Sequence, residues 1–225
     1  MDVYVIPIGR ERYELYCESP APIAAAEPQT SDSWLARLRQ RFAYMVREAE
    51  TREDAPSTGP VPGGSWSRLQ ALLFGWVAKR IAEQRLLWNL RRETGARLVH
   101  PQDLAFSEAL TLVNGMLRRD HDRHRLWLVV NGVLLLLSAI LAIVPGPNLV
   151  AYYFAFRVVG HWLSMRGAAQ GLQRVNWTGE ASARLVDLRT AITLAPGARM
   201  AEVQAIGADL GLPFLAPFVE RVATR

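Results

Sequence analysis

Leu126–Val144 reads LWLVVNGVLLLLSAILAIV: nineteen residues without a charge, with Asn131 and Ser138 as the only polar side chains. A helix of that length is about 28 Å long, close to the thickness of a bilayer's hydrocarbon core. Pro145-Gly146-Pro147-Asn148 breaks it. A second apolar stretch, Leu149–Leu163, follows and is interrupted only by Arg157 and His161. Three features favour a helical membrane hairpin with helices 126–144 and 147–163. Arg118, Arg119, Arg123 and Arg125 precede it and Arg166 and Arg174 follow it, while the connecting turn is uncharged, which is the positive-inside pattern. Trp127 and Trp162 fall at one and the same interface. Leu134–Leu137 reserves no polar face for water. A soluble protein that buries the hairpin at its centre is the alternative, because length alone does not separate a deep core helix from a span.

Outward from the hairpin the chain is short-range and helical. Val3, Val5, Ile6 and Ile8, then Gly9, then Tyr13–Cys17 predict a short hairpin of strands 2–8 and 11–17. Residues 19–31 are a connector, and Ser31 or Ser33 caps a helix carrying Trp34, Leu38, Phe42 and Met45. Pro56–Gly64 is a linker. Trp66–Arg92 reads as a helix with an apolar first half. Arg97-Leu-Val-His100 reads as a short strand, and Pro101-Gln-Asp103 opens a helix with Leu104, Leu110, Val113 and Leu117. Beyond the hairpin, Asn176–Gly179 is a loop, and Ala181–Leu194, Ala198–Leu210 and a segment from Pro213 to Ala223 are helices. Leu188, Ile192, Val203, Ile206, Leu210, Phe214, Leu215, Phe218 and Val222 would form a small core of their own.

The expected fold class is therefore mainly α: a helical membrane hairpin with a short N-terminal β-hairpin and a small C-terminal helical module. The expected divisions are 1–55 (β-hairpin plus helix), 56–64 (linker), 65–120 (helices), 121–175 (membrane hairpin) and 176–225 (C-terminal module).

Composition limits the chemistry. The chain has 225 residues, half of them hydrophobic, and carries 26 Lys+Arg against 21 Asp+Glu, a net charge of +5. A single cysteine, Cys17, excludes an internal disulfide framework and a multi-cysteine zinc site. No phosphate-binding glycine loop, zinc-protease motif or nucleophile elbow occurs, and no nucleophile–base pair is evident, so neither enzymatic activity nor a cofactor is expected. The basic balance does not signal nucleic acid, since no basic stripe is interleaved with stacking aromatics. His121 and His124 with Asp120 and Asp122 lack a more distant third ligand; they read as a solvated face, and no metal is expected.

Arg157-Val-Val-Gly-His161-Trp162, preceded by Pro147-Asn148 and Tyr152-Tyr153 and followed by Gly167 and Leu172, resembles the mitochondrial K+/H+ exchange-related family. Val3–Ile8 and, more weakly, Gly211–Val219 are similar to it as well. The resemblance covers about half of the chain. Gly160 stands where the family pattern has Ser, which removes the hydroxyl at that position. The resemblance implies a link to monovalent cation homeostasis at an inner membrane. The similarity suggests a bacterial relative in the plasma membrane, or the mitochondrial inner membrane if the chain is eukaryotic; the arginine asymmetry of the hairpin places both termini in the cytoplasm.

Arg157 and His161 are four apart and share a helix face. Ionisable groups in an apolar stretch are functional candidates, and imidazole titrates near neutrality. Helix packing, or an Arg157 that snorkels to the interface, is the competing reading. Arg157, His161, Tyr152, Tyr153 and Asn148 are thus the candidate site. Pro145, Gly146 and Pro147 form the turn, Trp127 and Trp162 the interface aromatics, and Arg118, Arg119, Arg123, Arg125 and Arg166 the headgroup contacts. No Asp or Glu occurs between Asp122 and Glu180. A dehydrated K+ needs oxygen ligands, so an accessory, regulatory or scaffolding role ranks above an oligomeric antiporter. A soluble or peripheral interaction protein with a buried apolar hairpin is the further alternative. The expected partners are a lipid bilayer and another membrane protein or a second copy of the chain. K+ and H+ join them only if the chain transports.

Overall fold

Strand β1 (Asp2–Pro7) is built from β-branched residues and lies inside a four-stranded sheet. It pairs antiparallel with β2 (Tyr13–Tyr16), with Tyr4 opposite Tyr16 and Ile6 opposite Glu14. On its other side it pairs in parallel with β3 (Gly95–Pro101), Asp2 opposite Arg97 and Tyr4 opposite Val99. β3 in turn pairs in parallel with β4 (Asn176–Ser182), from Gly95 opposite Asn176 to Pro101 opposite Ser182, so the order is β2-β1-β3-β4. Helices α1 (Phe106–Ser138) and α2 (Leu149–Gln173) connect β3 to β4, and α3 (Ala183–Ala191), α4 (Pro196–Leu210) and α5 (Leu215–Ala223) end the chain. This computed structural model describes residues 1–9, 11–18, 86–138 and 149–223. The expected helices of 31–46 and most of that of 66–92 lie outside the described residues, as do Asn148 and the turn residues Pro145, Gly146 and Pro147.

The fold class is therefore mixed α/β, which corrects the mainly α expectation. The N-terminal strands do not stand alone as a short hairpin; they are half of a sheet completed from far along the chain. Asn176–Gly179, expected as a loop, is the start of β4. This strand is mostly exposed and has no run of apolar residues. Its extended form comes from backbone pairing with β3, a contact some eighty residues away in sequence. Gly179 also has a steric reason: a Cβ there would collide with the Phe106 ring.

The described chain divides into two compact units. One comprises Met1–Glu18, Leu90–Arg123 and Met165–Arg225; the other comprises Ser19–Asn89 and His124–Ser164. In the first, alternation along β1 sends Tyr4, Ile6 and Ile8 to one face of the sheet and Val3 and Val5 to the other. Ile6, Ile8 and Val99 pack with Leu185, Leu188, Val203, Ile206, Leu212, Leu215 and Val219 in one buried cluster. The C-terminal helices thus use the sheet as their core, which corrects the picture of a separate helical module. Of the expected core residues, Leu188, Val203, Ile206 and Leu215 are fully buried, whereas Ile192, Leu210, Phe218 and Val222 sit at the margin. Phe214 is exposed, because it lies in the turn before α5. α4 ends at Gly211 (φ 69°), where the Leu212 N–H donates to the Gly207 carbonyl and the Gly211 N–H to that of Ala208. This is the Schellman arrangement, and only glycine adopts that φ without strain. Three residues beyond this turn, the Phe214 N–H donates to the Glu18 carboxylate at 2.9 Å, and the same carboxylate accepts the Tyr16 hydroxyl. Burial first, and this bond second, push the Tyr16 phenol well above its ordinary range.

No helix among the described residues is long and apolar enough to cross a membrane. That overturns the helical membrane hairpin, and the cytoplasmic placement of both termini that was argued from it loses its footing. The apolar part of α1 within the described residues, 126–138, is only thirteen residues long and follows the charged stretch 118–125 of the same helix. α2 carries Arg157, His161 and Arg166 within its length, so it offers no uncharged run of about twenty residues.

Candidate functional site

In the second unit the polar residues of α1 form an inward stripe. His124, Asn131 and Ser138 are seven apart and hence on one helix face, and all three are buried, Asn131 to 2% exposure. Asn131 Nδ2 donates to the Trp127 carbonyl at 2.7 Å and Ser138 Oγ to that of Leu135 at 2.6 Å. Each buried group is thus satisfied by the helix's own backbone, which removes most of the cost of burying it. The opposite face is apolar and exposed: Leu126, Val129, Val133, Leu136 and Leu137, with Leu136 at 75%. The usual helix polarity is inverted along these four turns.

The stripe meets α2 at a pair of histidines. His124 Nδ1 and His161 Nδ1 are 2.9 Å apart, and both side chains are buried. The rings lie 5.2 Å apart at 43°. Trp127 stacks on His161 at 6.4 Å, its plane within 18° of the imidazole. Arg157, one turn before His161, points an Nη2 donor at His161 Nε2 (3.4 Å) and donates from Nη1 to the Tyr153 hydroxyl at 3.2 Å. Its guanidinium carbon lies 5.5 Å from the Trp127 ring centre and 5.9 Å from that of Tyr153, within cation–π range of both. Beyond the pair, Ser164 Oγ is buried and accepts the Trp88 indole N–H at 2.9 Å. The site is therefore an aromatic cage around one fixed cation and two imidazoles. It can hold, share or move a proton.

Of the sequence-derived candidates, the structure brings together Arg157, His161, Tyr153 and Trp127. Trp162, the residue after His161 on α2, is 41% exposed, about as much as Trp127 at 42%. Tyr152 belongs to α2 by its backbone, and its side chain lies outside the described residues. Arg118, Arg119, Arg123, Arg125 and Arg166 are all exposed. His124 was grouped with His121 in the sequence reading, but the structure separates them: His121 turns to Asp122, at 3.2 Å, and His124 turns inward. The missed signal was the seven-residue spacing of His124, Asn131 and Ser138. No group of three or more His, Cys, Asp or Glu suited to a metal occurs among the described residues. On α1 one turn before His124, Asp120 is held above the ordinary carboxylate range, chiefly by burial and then by the charge of Glu14.

Searches of curated proteins and of solved structures found no match to the chain. A family model does match: residues 65–175, which take in α1, α2 and this cage, match the model of the family described as mitochondrial K+-H+ exchange-related.

Proposed function

We propose that this chain serves K+–H+ exchange as an accessory, regulatory component seated on an anionic inner-membrane surface, and is not itself the exchanger. The observation that carries the reading is the outer face of α1. Leu126, Val129, Val133, Leu136 and Leu137 are exposed on the turns that directly follow the exposed arginines Arg118, Arg119, Arg123 and Arg125. Apolar area left in water costs about 25 cal/mol per Å². A strip of it beside cations suits the boundary between headgroups and acyl chains, where each arginine contributes about 1 kcal/mol. Against exchange by the chain itself stands the ligand supply. No carboxylate occurs between Asp122 and Glu180 to coordinate K+ or to trade it for a proton.

Vesicle flotation with the full-length protein tests the seat. It should float with vesicles containing phosphatidylglycerol, less so in high salt, and not with phosphatidylcholine alone. Val129→Asp with Leu136→Asp, both exposed sites, should abolish flotation without lowering thermal stability. Equal flotation with both lipids, or by the variant, would overturn the seat. In sealed liposomes the protein alone should move no protons in response to a K+ gradient. Robust K+-driven proton movement would make it an antiporter instead.

A further inference from the structure

We propose that His124 and His161 form a one-proton latch: a neutral, hydrogen-bonded imidazole pair that holds α1 to α2 and opens when one further proton binds. The latch lies on the buried side of α1, so it does not depend on what the exposed side meets.

The tautomers follow from the donors. Arg157 is a permanent cation with donors only. Its Nη2 approaches His161 Nε2, which must therefore present a lone pair. The proton of neutral His161 then sits on Nδ1 and is donated across 2.9 Å to His124 Nδ1. His124 accepts there, so its own proton is on Nε2. The chain runs one way: Arg157 N–H to His161 Nε2, and His161 Nδ1–H to His124 Nδ1. A proton added to His124 Nδ1 sets two N–H groups head to head. A proton added to His161 Nε2 points an N–H at the guanidinium. The first addition breaks the bond between the helices and the second the bond to Arg157, and either places a second cation beside Arg157.

Among the described residues, the titratable and charged groups at neighbouring positions of the two helices are these. On α2 they are Arg157 and Tyr153, with Arg166 five residues beyond His161. On α1 they are His121, the exposed Arg123 and Arg125, and Asp120, the carboxylate at helical-neighbour spacing from His124. Burial, and then the charge of Glu14, hold the Asp120 carboxyl above its ordinary range. A shared metal ion fits the pair less well than a proton. Two nitrogens on a tetrahedral zinc lie about 3.3 Å apart, given bonds of about 2.0 to 2.1 Å, and the Arg157 charge opposes a second cation here.

Two measurements on the full-length protein test the latch. In 15N-histidine-labelled protein at pH 8, His161 should be the Nδ1–H tautomer and His124 the Nε2–H tautomer. Amide exchange, corrected for its intrinsic pH dependence, should then show protection of 124–138 and 149–164 falling as pH drops from 8 to 5. The limiting slope for one linked proton is about tenfold per pH unit, and residues 183–223 should not follow it. Asparagine keeps a donor and an acceptor at the δ position and cannot titrate, so His124→Asn with His161→Asn should flatten the slope. A flat wild type, or an unchanged slope in the double variant, would overturn the latch. So would Nε2–H tautomers on both rings, or stoichiometric Zn2+ binding that the double variant loses. Should the variant fail to fold, the wild-type tautomer spectrum decides by itself.

Discussion

Arg157 shows how one side chain's surroundings choose between two roles. A snorkelling arginine would extend along its helix towards solvent. Here the guanidinium instead lies between the Trp127 and Tyr153 rings and donates to the tyrosine hydroxyl. Lysine keeps the charge but loses the planar face and the fork of donors. Arg157→Lys should therefore lower stability by about 1 kcal/mol, and Arg157→Ala by up to about 2 kcal/mol, on the scale of cation–π contacts. Both should also release His161 from its Nδ1–H tautomer. Wild-type stability and tautomer in the lysine variant would restore the snorkelling reading. Glycines offer a second residue-scale test. A Cβ at Gly207 would lie 2.8 Å from the Leu212 carbonyl oxygen, which accepts the Leu215 N–H at 3.1 Å, whereas one at Gly115 meets nothing within 4 Å. Gly207→Ala should destabilise by about 1 to 3 kcal/mol, as overpacking does. Gly115→Ala, in the middle of α1, should stabilise by about 0.5 to 1 kcal/mol. Chemical denaturation of the two variants side by side checks the sign reversal.

At the scale of the element, α1 carries both the most and the least readable information in the chain. Its helical nature was plain from the apolar run, but which side faces inward was not. Leucines dominate any reading by hydrophobicity, and here they face outward, so the inward side had to be found from three polar residues spaced by seven. Arg157 and His161 were readable as a pair from their spacing. Their partner His124 was hidden, because a contact between helices leaves no local pattern. The same reason explains β4, an edge strand defined by its pairing with β3. Strand β1, with its run of β-branched residues, and Gly211 at the end of α4 were readable because their causes are local. α1 also makes a prediction about pH. Burial, with the charge of Glu14 added, holds the Asp120 carboxyl above its ordinary range. The folded state then keeps a proton that the unfolded chain has released. That contribution to stability is complete below the unfolded value and is lost as pH rises through the folded one. Asp120→Asn keeps the shape and removes the charge. It should raise the midpoint of denaturant unfolding at pH 7, and its advantage should vanish below about pH 4. An equal advantage at both pH values would show that the gain is unrelated to the titration.

At the scale of the molecule, the sheet makes distant segments depend on one another. Ile6 and Ile8 come from the first strand and its end, Val99 from the third, and the remainder of their cluster from residues 185–219. The chain's first eighteen residues and its last sixty belong to the same compact unit. Sequence reading treated 176–225 as a module because its helices supply enough apolar residues to resemble one. A fifty-residue chain, however, buries too small a fraction of its surface to be stable without a close-packed core. In this protein, Val203, Ile206 and Leu215 share their buried cluster with Ile6, Ile8 and Val99. A fragment of residues 176–225 should therefore show at most fraying helicity and no cooperative thermal transition. Adding a peptide of residues 1–18 should not rescue it, because β1 needs β3 beside it to present Ile6 and Val99 on one face. Deleting residues 1–18 from the full chain should abolish amide protection in 185–219, although none of those residues is touched. A cooperative transition in the fragment, or retained protection after the deletion, would show that the C-terminal helices fold on their own and that the sheet is merely their neighbour.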